Sequence, residues 1–124
     1  MNFSKIIAIG LLLGSTYVAA DDCVIPGIPD ISDGTSASLE QMIAIQKAVK
    51  VFQADNLDYM ACLEPALNTA GEDAKKAGSE EEKLAAKALY AEKEATYNAA
   101  VSIEEKLVGE FNAAIRAYKA ANPS

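Results

Sequence analysis

Gly78-Ser79-Glu80-Glu81-Glu82, the stretch GSEEE at residues 78–82, decides the fold. Ser79 followed three residues on by Glu82 has the spacing of a capping box, in which each side chain satisfies the other's backbone amide. Glu80, Glu81 and Glu82 all fall in the first turn, where the helix dipole favours negative charge. Gly78 stands directly before this start, where a preceding helix would take a left-handed C-terminal residue. The stretch therefore predicts a tight helix–helix turn, and two arms of about 40 residues flank it.

Working outward, both arms carry apolar stripes that alternate steps of three and four. In the first arm the stripe is Met42, Ile45, Val49, Phe52, Tyr59, Leu63 and Ala66, with Asn56 in the missing place. In the second it is Tyr90, Tyr97, Val101, Val108, Phe111, Ile115 and Tyr118, with Glu94 and Glu104 filling gaps. Both are heptad seams of the kind that pack side by side. In an antiparallel hairpin, facing residue numbers share one sum. Met42 with Ile115, Val49 with Val108 and Leu39 with Tyr118 all give 157, and Tyr59 with Tyr97 gives 156. A turn centred on Gly78-Ser79 requires that value. The fold class expected is all-α: antiparallel helices over about 37–77 and 79–121 in a coiled-coil-like hairpin.

The first helix starts near Ser38, which has Gln41 at capping-box spacing. Pro65 removes one backbone hydrogen bond and crowds the carbonyl of Ala61, so a kink there is expected, with the helix continuing to Ala77. Gly71 makes residues 68–73 the weakest part of this arm. The end near the termini holds Leu39, Met42, Ile45, Val49, Val108, Phe111 and Ile115, whereas residues 68–91 are mostly Ala, Lys and Glu. A firm base and a softer tip follow.

Before the first helix lies CVIPGIPDISDG, residues 23–34. Pro26, Gly27 and Pro29 disfavour helix and make this stretch an extended tail over 21–36. Asp33-Gly34 marks a turn. Further upstream, Lys5 in a short polar head, the apolar run Ile6–Leu13 and the small residues Val18-Ala19-Ala20 have the layout of a secretory leader cleaved after Ala20. The apolar run is too short for a stable membrane span; the alternative is a retained anchor. Residues 21–124 are then one mature domain, periplasmic or secreted, with no membrane insertion after cleavage.

Both cysteines belong to that mature part. An even count in an exported chain points to one disulfide, Cys23 to Cys62, against the alternative of free or intermolecular thiols. About 24 helical residues from Ser38 to Cys62 span roughly 36 Å. The 15 or so tail residues from Cys23 reach roughly 46 Å when extended. The tail can therefore run back along the first helix, placing Val24, Ile25, Ile28 and Ile31 against the helix pair as a third layer. Cys62 sits beside the seam, which suits a tether.

Composition narrows the chemistry. The chain has 11 basic and 18 acidic residues, and loss of Lys5 with the leader takes the balance from −7 to −8. Such a surface repels nucleic acid and anionic headgroups. There is no histidine, which removes the commonest general base and metal ligand, and no tryptophan. No glycine-rich phosphate loop occurs. Asp21-Asp22 and Glu80-Glu81-Glu82 lack the spacing of a calcium loop. No catalytic residue, metal or cofactor is expected, and no enzymatic activity. Asn56, opposite Val101, reads as a register-fixing residue. Glu104, near Phe52, reads as reaching solvent or the nearby Lys50 and Lys106.

Cys23, Pro26, Pro29, Asp33-Gly34, Met42, Lys50, Tyr59 and Cys62 together resemble small exported proteins of Gram-negative bacteria, over about a third of the chain. The resemblance implies a helical hairpin and carries no activity. The function expected is a non-enzymatic periplasmic interaction or holdase-like hairpin. Its leftover apolar residues Leu57, Met60, Leu67, Leu89, Ile103 and Leu107 would meet a protein partner or a second copy. The second expectation is a small-ligand module in a cleft between tail and helices near Tyr59 and Tyr97.

Overall fold

A computed structural model describes residues 22–124. The expected leader, its cleavage point after Ala20 and Asp21 lie outside the described residues. Two helices, α1 (Leu39–Lys76) and α2 (Glu80–Ala121), pack against each other as an antiparallel hairpin, joined by residues 77–79. Both start as the sequence predicts. Ser38 Oγ accepts from the Gln41 amide while Gln41 Oε1 accepts from the Ser38 amide, and Ser79 and Glu82 repeat the arrangement.

The turn closes differently from the expectation. No residue between the helices has a positive φ, so Gly78 is not a left-handed terminator. Helix α1 ends instead at Ala77, whose backbone is extended at φ −58° and ψ 130°. Glu82 reaches back over the turn and accepts from both the Gly78 and Ser79 amides, at 3.1 and 3.3 Å. One carboxylate thus satisfies both amides, and the left-handed bond is not needed.

Helix α1 runs unbroken through Pro65 and Gly71. Its buried residues are Met42, Ile45, Val49, Phe52, Asn56, Leu63 and Ala70; of the predicted stripe, Tyr59 and Ala66 are only half-buried, and Ala70 is added. Helix α2 is rotated relative to the prediction. Its buried positions are Ala100, Leu107 and Ala114, each one residue before the expected Val101, Val108 and Ile115, which are half-buried. Leu107, expected among the leftover surface residues, is only 1% exposed. The tail packs on the α2 flank that carries Ala114, where Gly34 meets its backbone.

That tail is extended from residue 24 to the turn at 34–36. Asp33 organises the turn, its carboxylate accepting from the Thr35 amide at 2.9 Å and its carbonyl from the Ser36 amide. Gly34 is buried against the α2 backbone. A Cβ on it would stand 2.7 Å from the Ala114 carbonyl carbon, so no side chain fits. Ile31 and Ala37 flank this crossing and pack on the core of Met42, Ile45, Val49, Phe52, Leu107 and Ala114. The tail then passes over to α1, where Cys23 is disulfide-bonded to Cys62 with Cα atoms 5.8 Å apart.

Only part of the expected third layer exists. Val24 is 82% exposed and Ile25 75%, and Ile28 is also exposed. The inward positions are Cys23, Pro26 and Pro29, every third residue, followed by Ile31 and Gly34. Three residues per turn is the pitch of polyproline II. Once Cys23 is anchored, that pitch brings the prolines onto the helices and turns the β-branched residues outward.

Candidate functional site

The tail lies on one side of the hairpin and leaves the other bare. On the tail side, Ile31–Gly34 meet Glu110, Ala113, Ala114 and Ala117 of α2, and residues 22–27 meet Asp55, Asp58, Tyr59 and Cys62 of α1. At 100° per residue, Leu39, Ile43, Gln46, Leu57 and Met60 of α1 lie on the opposite side. So do Val101, Val108, Asn112 and Ile115 of α2. All of these but Leu57 line two shallow hollows along the bare groove. One, of about 590 Å³, runs from Met60 to Asn112, and the other, of about 250 Å³, lies between Leu39 and Lys119.

Between the two sides sits Asn56, 2% exposed. Its Nδ2 donates to the Ala100 carbonyl at 3.1 Å and to Glu104 Oε2 at 2.8 Å. Both amide protons are used, one of them on a charged acceptor. The expected partner, Val101, is displaced from this position because α2 is rotated by one residue. Glu104 likewise turns to Asn56, not to Lys50 or Lys106, and Lys106 lies 3.8 Å from Glu110 on its own helix. This bond sets residue 56 level with residue 100, a numbering sum of 156, within one of the predicted register.

The tyrosines do not gather into one groove. Tyr90 is exposed with its ring over Gly71, Tyr59 is half-buried beside the tail, and Tyr97 and Tyr118 are half-buried on α2. The hollow between tail and α1, about 530 Å³, is lined by Tyr59 and not by Tyr97. Of the leftover apolar residues, Leu57, Leu89 and Ile103 are exposed and Met60 and Leu67 half-buried. Val51, Leu84 and Ile43 are exposed as well.

Among the described residues, no three Asp, Glu or Cys side chains converge to hold a metal ion. The three salt bridges among the described residues all join residues three or four apart on one helix, with exposed partners, so they add little and none of them ties the helices together. No helix among the described residues is long and apolar enough to cross a membrane. No family model, no curated protein and no solved structure matches the chain.

The sequence marks Gly34 as a turn residue but not its seat on α2, and it does not single out Ala100 and Ala114. A glycine after aspartate signals a turn, and nothing in that signal distinguishes a turn in solvent from one seated on a helix backbone. The seven-residue spacing of Ala100, Leu107 and Ala114 was the available signal for α2.

Proposed function

We propose that the mature chain is an exported, non-enzymatic periplasmic hairpin that binds another polypeptide along its bare groove. The observation that carries this reading is the one-sided tail. It supplies a third layer over one flank, while Leu57 stays 63% exposed and Ile43, Met60, Val101 and Val108 line an open apolar groove on the other. Helix-in-groove recognition needs such a strip of apolar side chains at helical spacing. Export is supported by the leader layout of residues 1–20 and by the Cys23–Cys62 bond, which persists in oxidising compartments. A holdase-like action on unfolded clients is one form of this reading.

Crosslinking in the native periplasm followed by affinity capture tests it. The natural chain should retain a polypeptide partner or suppress aggregation of a denatured client, and I43E/L57E should do neither. Capture that is equally strong with I43E/L57E, or the absence of any second copy, other partner or suppression, would end the reading.

A second reading rests on the hollow between tail and α1. Asp22, Asp55, Asp58 and Tyr59 line it beside the tail backbone, offering carboxylates and a phenol to a small cationic or hydroxylated ligand. Native mass spectrometry of the protein from its own periplasm should then show an added small mass that Tyr59→Ala loses. An unliganded mass throughout would remove this reading.

A further inference from the structure

We infer that the occupant of the bare groove is a second copy of this chain, joined face to face about a two-fold axis parallel to the hairpin into a four-helix bundle. This rests on the interaction reading above and names its partner.

Charge selects both the partner and the axis. On α1 the rim of the groove carries Lys50, exposed, and on α2 it carries Glu105, also exposed. The Asn56–Ala100 bond places Lys50 within about a turn of the level of Glu105. A two-fold axis along the hairpin sets each α1 opposite the partner's α2 at the same level. Lys50 then meets Glu105 of the other copy, twice by symmetry. The same operation brings exposed Leu57 to the level of Val101 and Ile43 to the level of Asn112 and Ile115. Apolar residues oppose apolar residues along the middle, and opposite charges meet at the rim. An axis across the hairpin would instead set α1 against α1, and pairing over the apolar base would bring Lys50 against its own copy.

The interface also has a natural end. Glu64 and Glu94 are both exposed on the bare side at levels the axis brings together, and like charges there exclude the tip from contact. What remains runs from Leu39 to about Met60. At 1.5 Å per residue and roughly 20 Å across two helices, that face offers about 650 Å² per copy, near the roughly 800 Å² of a specific interface. The tail stays outside, on the far side of each hairpin.

Light scattering and sedimentation of the mature, disulfide-bonded chain across the micromolar range test the inference. The mass should double with rising concentration. I43E/L57E should stay monomeric with its helical circular dichroism intact, since both positions are exposed. Lys50→Glu should weaken association at least about tenfold, and adding Glu105→Lys should restore it. A carbodiimide should join Lys50 to Glu105 between copies, seen as mixed-mass crosslinks when light and heavy-isotope protein are combined. A monomer at every concentration overturns the inference, as does charge reversal without rescue. Loss of the dimer in V24S/I25S/I28S but not in I43E/L57E would move the contact to the outer ridge of the tail and equally overturn it. A strict monomer that still captures a partner through the groove overturns the self-association and leaves the interaction reading standing; a monomer that captures nothing ends both.

Discussion

The two ends of the hairpin begin with the same local chemistry and finish with different packing. Ser38 caps the helix at the base and Ser79 the helix at the tip, each by a complete capping box. At the base, Met42, Ile45, Val49 and Phe52 close on Leu107 and Ala114 beneath Ile31, Gly34 and Ala37. At the tip, the buried residue is Ala70, and Leu84 and Leu89 point into solvent. Capping therefore starts a helix at either end equally well. What separates them is a third layer, because two helices alone enclose only a thin core, and only the base has one.

The largest test of this contrast is a matched pair of truncations. Phe52→Ala should cost about 3–5 kcal/mol in chemical denaturation, because the ring is buried in the core on which Ile31 and Ala37 pack. Leu84→Ala, which removes an exposed side chain at the tip, should change stability by less than about 0.5 kcal/mol. Equal losses at the two positions would show that the hairpin is uniform along its length. Native-state hydrogen exchange sharpens the same point, with amides around Val49 protected far more than those around Leu84.

Next in size is the tether. Closing the 39-residue separation between Cys23 and Cys62 stabilises the fold by about 3–4 kcal/mol on the chain-entropy model. Cys62→Ser should lower the melting temperature by on the order of 15 °C. The loss should also erase much of the difference in exchange between base and tip, since the third layer is then held only by Ile31 and the Gly34 crossing. A melting curve that does not move would mean the tail docks unaided.

The Gly34 crossing comes third. Gly34→Ala forces a Cβ into the Ala114 carbonyl, a backbone group that no rotamer change can withdraw, so the tail must lift or α2 must shift. A cost of about 1–3 kcal/mol is expected in the same denaturation assay. No change would place the tail elsewhere than on Ala114.

These positions also show what was readable in advance. The α1 seam was legible because Met42, Ile45, Val49, Phe52 and Leu63 are large and leave little doubt about which side is apolar. The helix starts at Ser38 and Ser79 were legible as local signals of fixed spacing, the register to within one residue from the shared numbering sum, and the cysteine pairing from the even count of an exported chain. Helix α2 was less so. Its buried face is marked by Ala100 and Ala114, and alanine is so frequent in this half that its period is lost beside Val101, Val108 and Ile115. The tail that covers the Ala114 flank has no periodic apolar signal of its own. The outward turn of Val24, Ile25 and Ile28 follows from the three-residue pitch and the anchored Cys23, which hydrophobicity alone does not encode. Of the candidate site, Asn56 was legible as a polar break in the seam, but its partner Glu104 was not, because a one-residue rotation of α2 decides which side chain it meets.

The smallest predicted effect reverses the sign at the other glycine. Gly71 lies inside α1 at the tip, where a Cβ would stand 3.3 Å from the edge of the Tyr90 ring. That distance asks the ring to move by a few tenths of an ångström, and Tyr90 is exposed enough to do so. Replacing a helix-interior glycine by alanine otherwise gains about 0.5–1 kcal/mol through a less flexible unfolded chain and better helix propensity. Gly71→Ala should therefore stabilise the protein slightly, by a few tenths to about 1 kcal/mol. At the base the same substitution meets a backbone that cannot yield, and at the tip it meets a side chain that can. Destabilisation by Gly71→Ala of the size expected for Gly34→Ala would show that the tip is packed as tightly as the base, and the contrast between them would fail at its most sensitive point.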